Sequence, residues 1–81
     1  MPSQETRHLK SIVAANIRRA RDERDLTQAQ LGRAIESDAA CVSRWERARV
    51  MPTLGTLIVL SDVLDQEVSW FYVDHQERKA A

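Results

Sequence analysis

The sequence predicts an all-α fold, a compact domain of five helices. Apolar side chains recur every three or four positions in several separate segments, which is the spacing of one face of an α-helix. Residues that favour helix N-termini, namely Thr27, Asp38 and Thr53, stand directly before three of these segments. The 81 residues are enough for one domain and too few for a second.

The first helix is expected to run to about Glu23, with an outer face rich in arginine. We expect residues 1–7 to form a loose arm, residues 8–74 to form the domain and residues 75–81 to form a fraying tail. The apolar stripe of this helix consists of Leu9, Ile12, Val13, Ile17 and Ala20.

Residues 26–52, LTQAQLGRAIESDAACVSRWERARVMP, predict two short helices joined by a tight turn. Thr27 is placed to cap the first of them, and Gln30 three residues later completes a capping box. Asp38 is placed to cap the second. The major groove of DNA admits one such helix while the other braces it against the phosphate backbone. The segment therefore indicates a helix-turn-helix that reads DNA.

The second helix of this pair has two distinct faces. Val42 and Trp45 lie three residues apart and point the same way, so core packing is favoured over stacking of Trp45 on a base. The opposite face carries small residues that grade into arginines, which allows a close approach to base edges and then contact with phosphate. Its members are Ala39, Ala40, Ser43, Arg44 and Arg47.

Two further helices are expected after this segment. Pro52 ends the preceding helix, and Thr53 is placed to cap the fourth. A fifth helix that holds Val68, Trp70, Phe71 and Tyr72 follows. The expected core stripe of the fourth helix consists of Leu54, Leu57, Ile58, Ser61 and Leu64.

Apolar side chains remain in the C-terminal part of the chain after these stripes are assigned. Surplus apolar surface of this kind usually marks a partner site, although a thicker core is the alternative. One recognition helix also reads few bases, so we expect a two-fold homodimer. The surplus residues are Val59, Leu60 and Val63 on the fourth helix and Trp70, Tyr72 and Val73 after it. The expected interface residues among them are Leu60, Val63, Trp70 and Tyr72.

The composition argues against several classes of protein. The single Cys41 rules out an internal disulfide and is interpreted as a plain small side chain rather than a redox sensor, and the two histidines offer no metal-ligand spacing. No apolar run approaches the roughly 18 residues that a membrane span needs, and the N-terminus has no signal-peptide core. No constellation of nucleophile, base or metal indicates an enzyme. We expect a cytoplasmic, nucleoid-associated protein without cofactor, metal or small-molecule ligand.

The net charge of zero hides a polarised distribution along the chain. Residues 1–50 carry ten Lys/Arg against seven Asp/Glu, a net charge of +3, whereas residues 51–81 carry two against five, a net charge of −3. The basic half contains the helix-turn-helix segment. Because the local field matters more than the total, this distribution is compatible with a nucleic-acid partner.

The motifs LTQAQL (26–31) and VSRWERAR (42–49), with Pro52 before a hydrophobic helix, resemble the Cro/repressor-like family of bacterial and phage regulators, also called the xenobiotic-response-element family. The resemblance covers roughly residues 12–72 and implies operator binding as a symmetric dimer, without catalysis. It also implies that Gln28 touches phosphate and that residues 39, 40, 43 and 44 face base edges. The full set of expected DNA contacts is Gln28, Arg33, Ala39, Ala40, Ser43, Arg44, Arg47 and Arg49.

The resemblance also assigns a partner to Glu46, a carboxylate that would repel phosphate if it faced DNA. In the family this position pairs with an arginine of the first helix, which corresponds to Arg21 here. The sequence departs from the family at Glu36, Ala48 and Asp65, where glycine is common. Either these turns accept a strained backbone or their geometry differs by a residue or two.

The sequence therefore predicts a sequence-specific regulator that binds double-stranded DNA, and we expect a dimeric repressor or autoregulator that reads an inverted repeat. The alternative is a protein-interaction module that keeps the fold without binding DNA, because Ala39 and Ala40 offer no hydrogen bonds to bases. DNA is favoured over this alternative by the polar and basic residues Arg44, Ser43, Arg33 and Gln28. The operator sequence and the target genes stay open.

Overall fold

The computed structural model describes residues 4–75, and their side chains from residue 8 onward. It contains four α-helices: α1 (Gln4–Glu23), α2 (Gln28–Ala34), α3 (Ala39–Glu46) and α4 (Leu54–Leu64). The expected fifth helix is a short 3₁₀ helix over Val68–Tyr72 rather than an α-helix. Within residues 4–75 there is no strand, so the all-α prediction is confirmed.

Helix α1 begins at Gln4, so residues 4–7 continue the helix instead of forming part of a loose arm. The rest of the expected arm, residues 1–3, lies outside the described residues, as does residue 76 onward of the expected tail. His75 is described, and its ring stacks on Trp70 with 4.4 Å between the ring centroids.

The three predicted N-caps are confirmed. Thr27 Oγ1 accepts from the Gln30 amide at 3.0 Å, and Gln30 Oε1 accepts from the Thr27 amide at 2.8 Å, which completes the capping box. Asp38 Oδ1 accepts from the Cys41 amide at 2.9 Å, and Thr53 Oγ1 accepts from the Thr56 amide at 3.1 Å. These side chains satisfy amides that would lack a partner in the first turn of α2, α3 and α4.

Each of these four α-helices is followed, one or two positions after its last residue, by a residue in the left-handed region, and none of these residues is glycine. The φ angles are 56° at Asp25, 60° at Glu36, 58° at Ala48 and 56° at Asp65. After each of them the next amide reaches back five residues, as from Ser37 to the Gly32 carbonyl at 2.7 Å. The turns at the three positions where the family has glycine therefore keep the left-handed geometry and accept its strain.

The core lies between α1, α4, the 3₁₀ helix and the inner sides of α2 and α3. Ile17 at the middle of α1 is fully buried, and Phe71 of the 3₁₀ helix is equally inaccessible. Around them the buried apolar side chains are Val13, Ala20, Leu31, Val42, Leu57, Leu60 and Leu64. Leu9 packs against this cluster from the N-terminal side.

The predicted core stripe of α4 is wrong in part. Leu57 and Leu64 are buried as expected, but the third buried position is Leu60, at 0% exposure. Leu54 and Ile58 are exposed instead, by 62% and 54%. Residues 54–64 are apolar almost all round, so their spacing does not determine which face turns inward.

This result corrects the expected dimer surface. Leu60 is inside the domain and cannot contact a second copy, and Val63 and Trp70 are half-buried against the core. Tyr72 keeps 38% of its surface exposed. The apolar surface left over by the fold is therefore larger on the outer side of α4 than at the predicted residues.

Asn16 fastens the C-terminal segment to α1. Its buried Nδ2 donates to the carbonyls of Phe71 and Val73, both at 2.8 Å, and approaches that of Trp70 at 3.3 Å. The carbonyls at the end of a short 3₁₀ helix need such donors when they are buried. The Asn16 side-chain amide thus connects α1 to the end of the 3₁₀ helix, 55 residues later in the chain.

Candidate nucleic-acid interface

Gly32 sets the close approach of α2 to the start of α3. A Cβ atom at this position would lie 2.5 Å from the Asp38 carbonyl carbon and 2.7 Å from its oxygen. These are backbone atoms, so the contact cannot be relieved by a side-chain rotation. The turn between the helices, with Glu36 at φ 60°, brings the two together at this point. Glycine is required at position 32 because α2 and the start of α3 touch there, and not because of its own φ angle, which is not positive.

Helix α3 has the two faces that the sequence predicts. Val42 is fully buried, and Trp45 is half-buried against the core. On the other side, Ala40 and Arg44 are exposed and Ser43 is half-buried. The helix therefore presents a short side chain, a hydroxyl and a guanidinium to solvent while its apolar side chains hold it on the domain.

The N-terminal end of α3 is closed by Asp38. Because its carboxylate accepts from the Cys41 amide, the pKa of Asp38 is lowered from its ordinary value of 3.8, and the nearby Arg44 guanidinium adds to the effect. Arg44 Nη2 also lies 3.6 Å from Cys41 Sγ. Asp38 therefore stays ionised near neutral pH and keeps this amide occupied, so Arg44 supplies the positive charge of this face.

The ion pair expected between Arg21 and Glu46 is present. Glu46 Oε2 lies 2.6 Å from Arg21 Nε, and Oε1 lies 3.0 Å from Nη2. Only 4% of the Glu46 side chain and 11% of the Arg21 side chain are exposed. The hydrogen bond to Glu46 raises the pKa of Arg21, against the opposing effect of burial.

Gln28 joins this pair, a contact that the sequence does not reveal. Its Nε2 donates to Glu46 Oε1 at 3.0 Å, and the remaining Nη1 of Arg21 donates to the Leu26 carbonyl at 2.7 Å. One carboxylate therefore links α1, the first residue of α2 and the last residue of α3. Its charge is neutralised at the place where α3 ends, which removes a repulsion that an unpaired Glu46 would exert on phosphate.

The remaining expected DNA contacts are distributed over two elements. Arg33 lies in the last turn of α2 and is exposed. Arg47 forms the C-cap of α3, and Arg49 follows the left-handed Ala48; both arginines are exposed. The three arginines are thus exposed on the elements before and after the outer face of α3, while Ala39 at the start of that helix is half-buried.

The described part of the chain offers little for other chemistry. Among residues 4–75 no group of three or more His, Cys, Asp or Glu side chains could hold a metal ion. None of the helices in this part is both long and apolar enough to cross a membrane.

Comparison with known proteins gives one family and two similar structures. The family described as helix-turn-helix matches residues 17–71. The crystal structure of the P22 c2 repressor in complex with the synthetic operator 9T, in the presence of Tl+, superposes with a TM-score of 0.70 at 27% identity, over 73% of this chain and 89% of that one. A hypothetical transcription factor, NHTF from Neisseria, superposes with a TM-score of 0.80 at 26% identity, over 96% of this chain and 87% of the other. No curated protein matches the sequence.

Proposed function

Since the chain belongs to the helix-turn-helix family of Cro/repressor-like, DNA-binding transcription regulators, we propose that it is a sequence-specific repressor that reads an inverted repeat as a dimer. It acts on promoter DNA in the cytoplasm, at the nucleoid. The observation that carries the proposal is the outer face of α3, where Arg44 stands among short side chains and opposite the buried Val42.

Arg44 is the chief reader of base edges in this proposal. A guanidinium can donate two parallel hydrogen bonds to O6 and N7 of guanine in the major groove. Ala39 and Ala40 contribute contact with thymine methyl groups, and Ser43 can hydrogen-bond to either kind of base pair. The short side chains allow the helix backbone to come close enough for Arg44 to reach.

Phosphate contacts set the orientation of α3 in the groove. Gln28 is the first residue of α2, and its side-chain Nε2 donates one hydrogen to Glu46. The second N–H of this fixed side-chain amide is the proposed donor to phosphate. Arg33 on α2 and Arg47 and Arg49 after α3 are exposed and supply the phosphate contacts in this proposal. The P22 c2 repressor, which shares this fold, was crystallised with an operator, and that similarity favours double-stranded DNA as the partner here.

One recognition helix contacts too few base pairs to select a unique site, so the proposed reader is a dimer. Helix α3 has eight residues, of which a few face outward. A two-fold pair doubles the number of bases read and places two such helices about 34 Å apart, one turn of DNA. The operator is then an inverted repeat with half-sites spaced by one helical turn.

The salt dependence of duplex binding tests the proposal. If a dimer neutralises about six phosphates, the logarithm of the association constant falls with the logarithm of salt concentration at a slope of about −5. Replacing Arg33, Arg47 or Arg49 with alanine reduces that slope by about one for each phosphate that is no longer neutralised. Arg18→Ala is the matched control, because Arg18 is exposed on α1 and pairs with Asp22; its slope stays that of the unmodified chain.

No binding at low salt to any selected duplex, or a slope close to zero, would contradict the proposal. Either result would favour a protein-interaction module that keeps this fold without reading DNA. Equal slopes for the alanine variants and the Arg18 control would remove the three arginines from the interface.

A further inference from the structure

The outer face of α4 is apolar, and the described part of the chain leaves it exposed. Leu54, Ile58 and Val59 expose 62%, 54% and 45% of their surface. They belong to an uncharged run, residues 50–61, in a chain of which 30% is charged. Scattered exposed apolar residues need no explanation, but a contiguous uncharged helix face usually marks a contact surface.

Gly55 lies in the first turn of α4, at the N-terminal end of this face, and the fold gives no reason for glycine there. Its φ angle is not positive, and an added Cβ would meet only Thr53 Oγ1, at 3.9 Å. Glycine is among the least favourable residues inside a helix. A glycine on an exposed helix face allows the backbone of another element to come close, and no element of the described chain occupies that place.

The charge at the two ends of α4 indicates how a partner would lie. Asp62, in the last turn, is exposed at the negative end of the helix dipole, where a carboxylate is unfavourable. The first turn contains no acidic residue to satisfy the positive end. A second α4 packed antiparallel would bring its positive end to Asp62 and receive the same contact in return.

We propose that the α4 face, defined as Leu54, Gly55, Ile58, Val59 and Asp62, is the self-association surface, on which the α4 helix of a second copy packs antiparallel across a two-fold axis. Such an interface is the same patch on both copies and must complement itself. The α4 face meets that condition, because its uncharged residues contact each other and each Asp62 lies beside the N-terminal end of the partner's α4. The proposal builds on the proposed function, because it identifies how the dimeric reader assembles.

Sedimentation of the full chain at about tens of micromolar tests the surface, in a range where moderately tight dimers form. The unmodified chain sediments as a dimer. Ile58→Asp sediments as a monomer with an unchanged helical circular-dichroism spectrum, because the side chain is exposed in the fold. Val73→Asp is the matched control: Val73 is 50% exposed but lies beyond α4, so this variant stays dimeric.

Gly55→Gln is a second variant whose folding is not at risk. Glutamine favours the helix more than glycine does, so the thermal midpoint of the dilute protein does not fall. The longer side chain blocks the close approach and raises the dimer dissociation constant at least about tenfold, which is 1.4 kcal/mol. A stable variant that associates less is not expected from a purely structural role of Gly55.

A monomeric unmodified chain, an Ile58→Asp or Gly55→Gln variant that associates normally, or a monomeric Val73→Asp variant would overturn the surface. Binding of duplex DNA is scored separately on the same samples. An α4 dimer that binds no duplex would refute the proposed function and leave the surface standing. A chain that binds a selected duplex while Ile58→Asp stays dimeric would refute the surface alone.

Discussion

Glu46 and Arg21 meet edge to edge, with both carboxylate oxygens within 3.0 Å of guanidinium nitrogens. The pair connects the last residue of α3 to the last turn of α1, and both side chains are almost removed from solvent. A guanidinium matches a carboxylate in this two-point geometry, which lysine could not reproduce. This ion pair therefore holds the C-terminal end of α3 on α1, while Val42 and the close approach at Gly32 hold the rest of the helix.

Glu46→Ala should destabilise the fold by about 3 kcal/mol, because the largely buried Arg21 charge then keeps only the exposed Asp22 carboxylate, 3.4 Å away, and the Leu26 carbonyl. The free energy of unfolding, measured by urea denaturation, gives the loss directly. Glu23→Ala is the control, since Glu23 pairs with Arg19 at the surface with about half of each side chain exposed. Exposed pairs contribute about 0–1 kcal/mol, so equal losses in the two variants would contradict the role given to Glu46.

Ala48→Gly should stabilise the protein. Ala48 has a φ angle of 58°, which costs an L-residue about 1–2 kcal/mol, whereas glycine adopts it freely. Glycine loses more backbone entropy on folding than alanine does, which offsets about 0.5–1 kcal/mol of this gain. The expected net increase in the free energy of unfolding is about 0.5–1 kcal/mol.

A thermal melt detects this gain as a rise of about 4 °C in Tm. Ala29→Gly, an exposed position inside α2, should lose about 0.5–1 kcal/mol instead. If both glycine variants lose stability, the left-handed strain at Ala48 is not real.

Local features of this fold can be predicted from sequence, because they involve residues three positions apart. Thr27, Asp38 and Thr53 cap their helices with their own side chains, and no distant element is needed to select them. The inward direction of Val42 follows in the same way from helix periodicity on a helix that is polar on its other side. The ion pair of Glu46 depended on the resemblance to a family.

Features that depend on distant neighbours could not be predicted. The face of α4 that turns inward is determined by the elements that pack against it. Because α4 is apolar almost all round, the sequence pattern wrongly predicted Ile58 as buried and Leu60 as exposed. Asn16 bonds to carbonyls more than fifty residues away, and no local pattern marks it. The contact of Gln28 with Glu46 requires the angle between α2 and α3, which depends on Gly32.

Gly32→Ala should destabilise the helix-turn-helix although alanine favours helices. The new methyl group would lie within 2.8 Å of three backbone atoms of Asp38, so α2 and α3 must move apart. Overpacking of this kind costs about 1–3 kcal/mol. Urea denaturation gives the change in free energy of unfolding.

The matched control is Gly55→Ala, measured at a dilution where the chain is monomeric. Nothing but Thr53 Oγ1, at 3.9 Å, faces the added methyl group. Its stability should be unchanged or raised by up to about 1 kcal/mol. A Gly32→Ala variant as stable as this control would show that the two helices do not touch there.

Arg44→Ala should weaken binding to a selected duplex by about 1–3 kcal/mol and relax the preference at one position in each half-site. Fluorescence anisotropy on the selected duplex and on random DNA separates the two kinds of contact. The fold should be unaffected, because Arg44 is exposed. An equal loss on both duplexes would make Arg44 a phosphate contact rather than a reader of bases.

Selection of binding sites from a pool of random duplexes measures sequence-specific recognition by α3 without an assumed operator. An inverted repeat whose half-site centres are about 10 base pairs apart should be enriched, with a guanine at the position that Arg44→Ala relaxes. Recovery of the starting pool unchanged after repeated rounds at low salt would contradict sequence-specific recognition by α3.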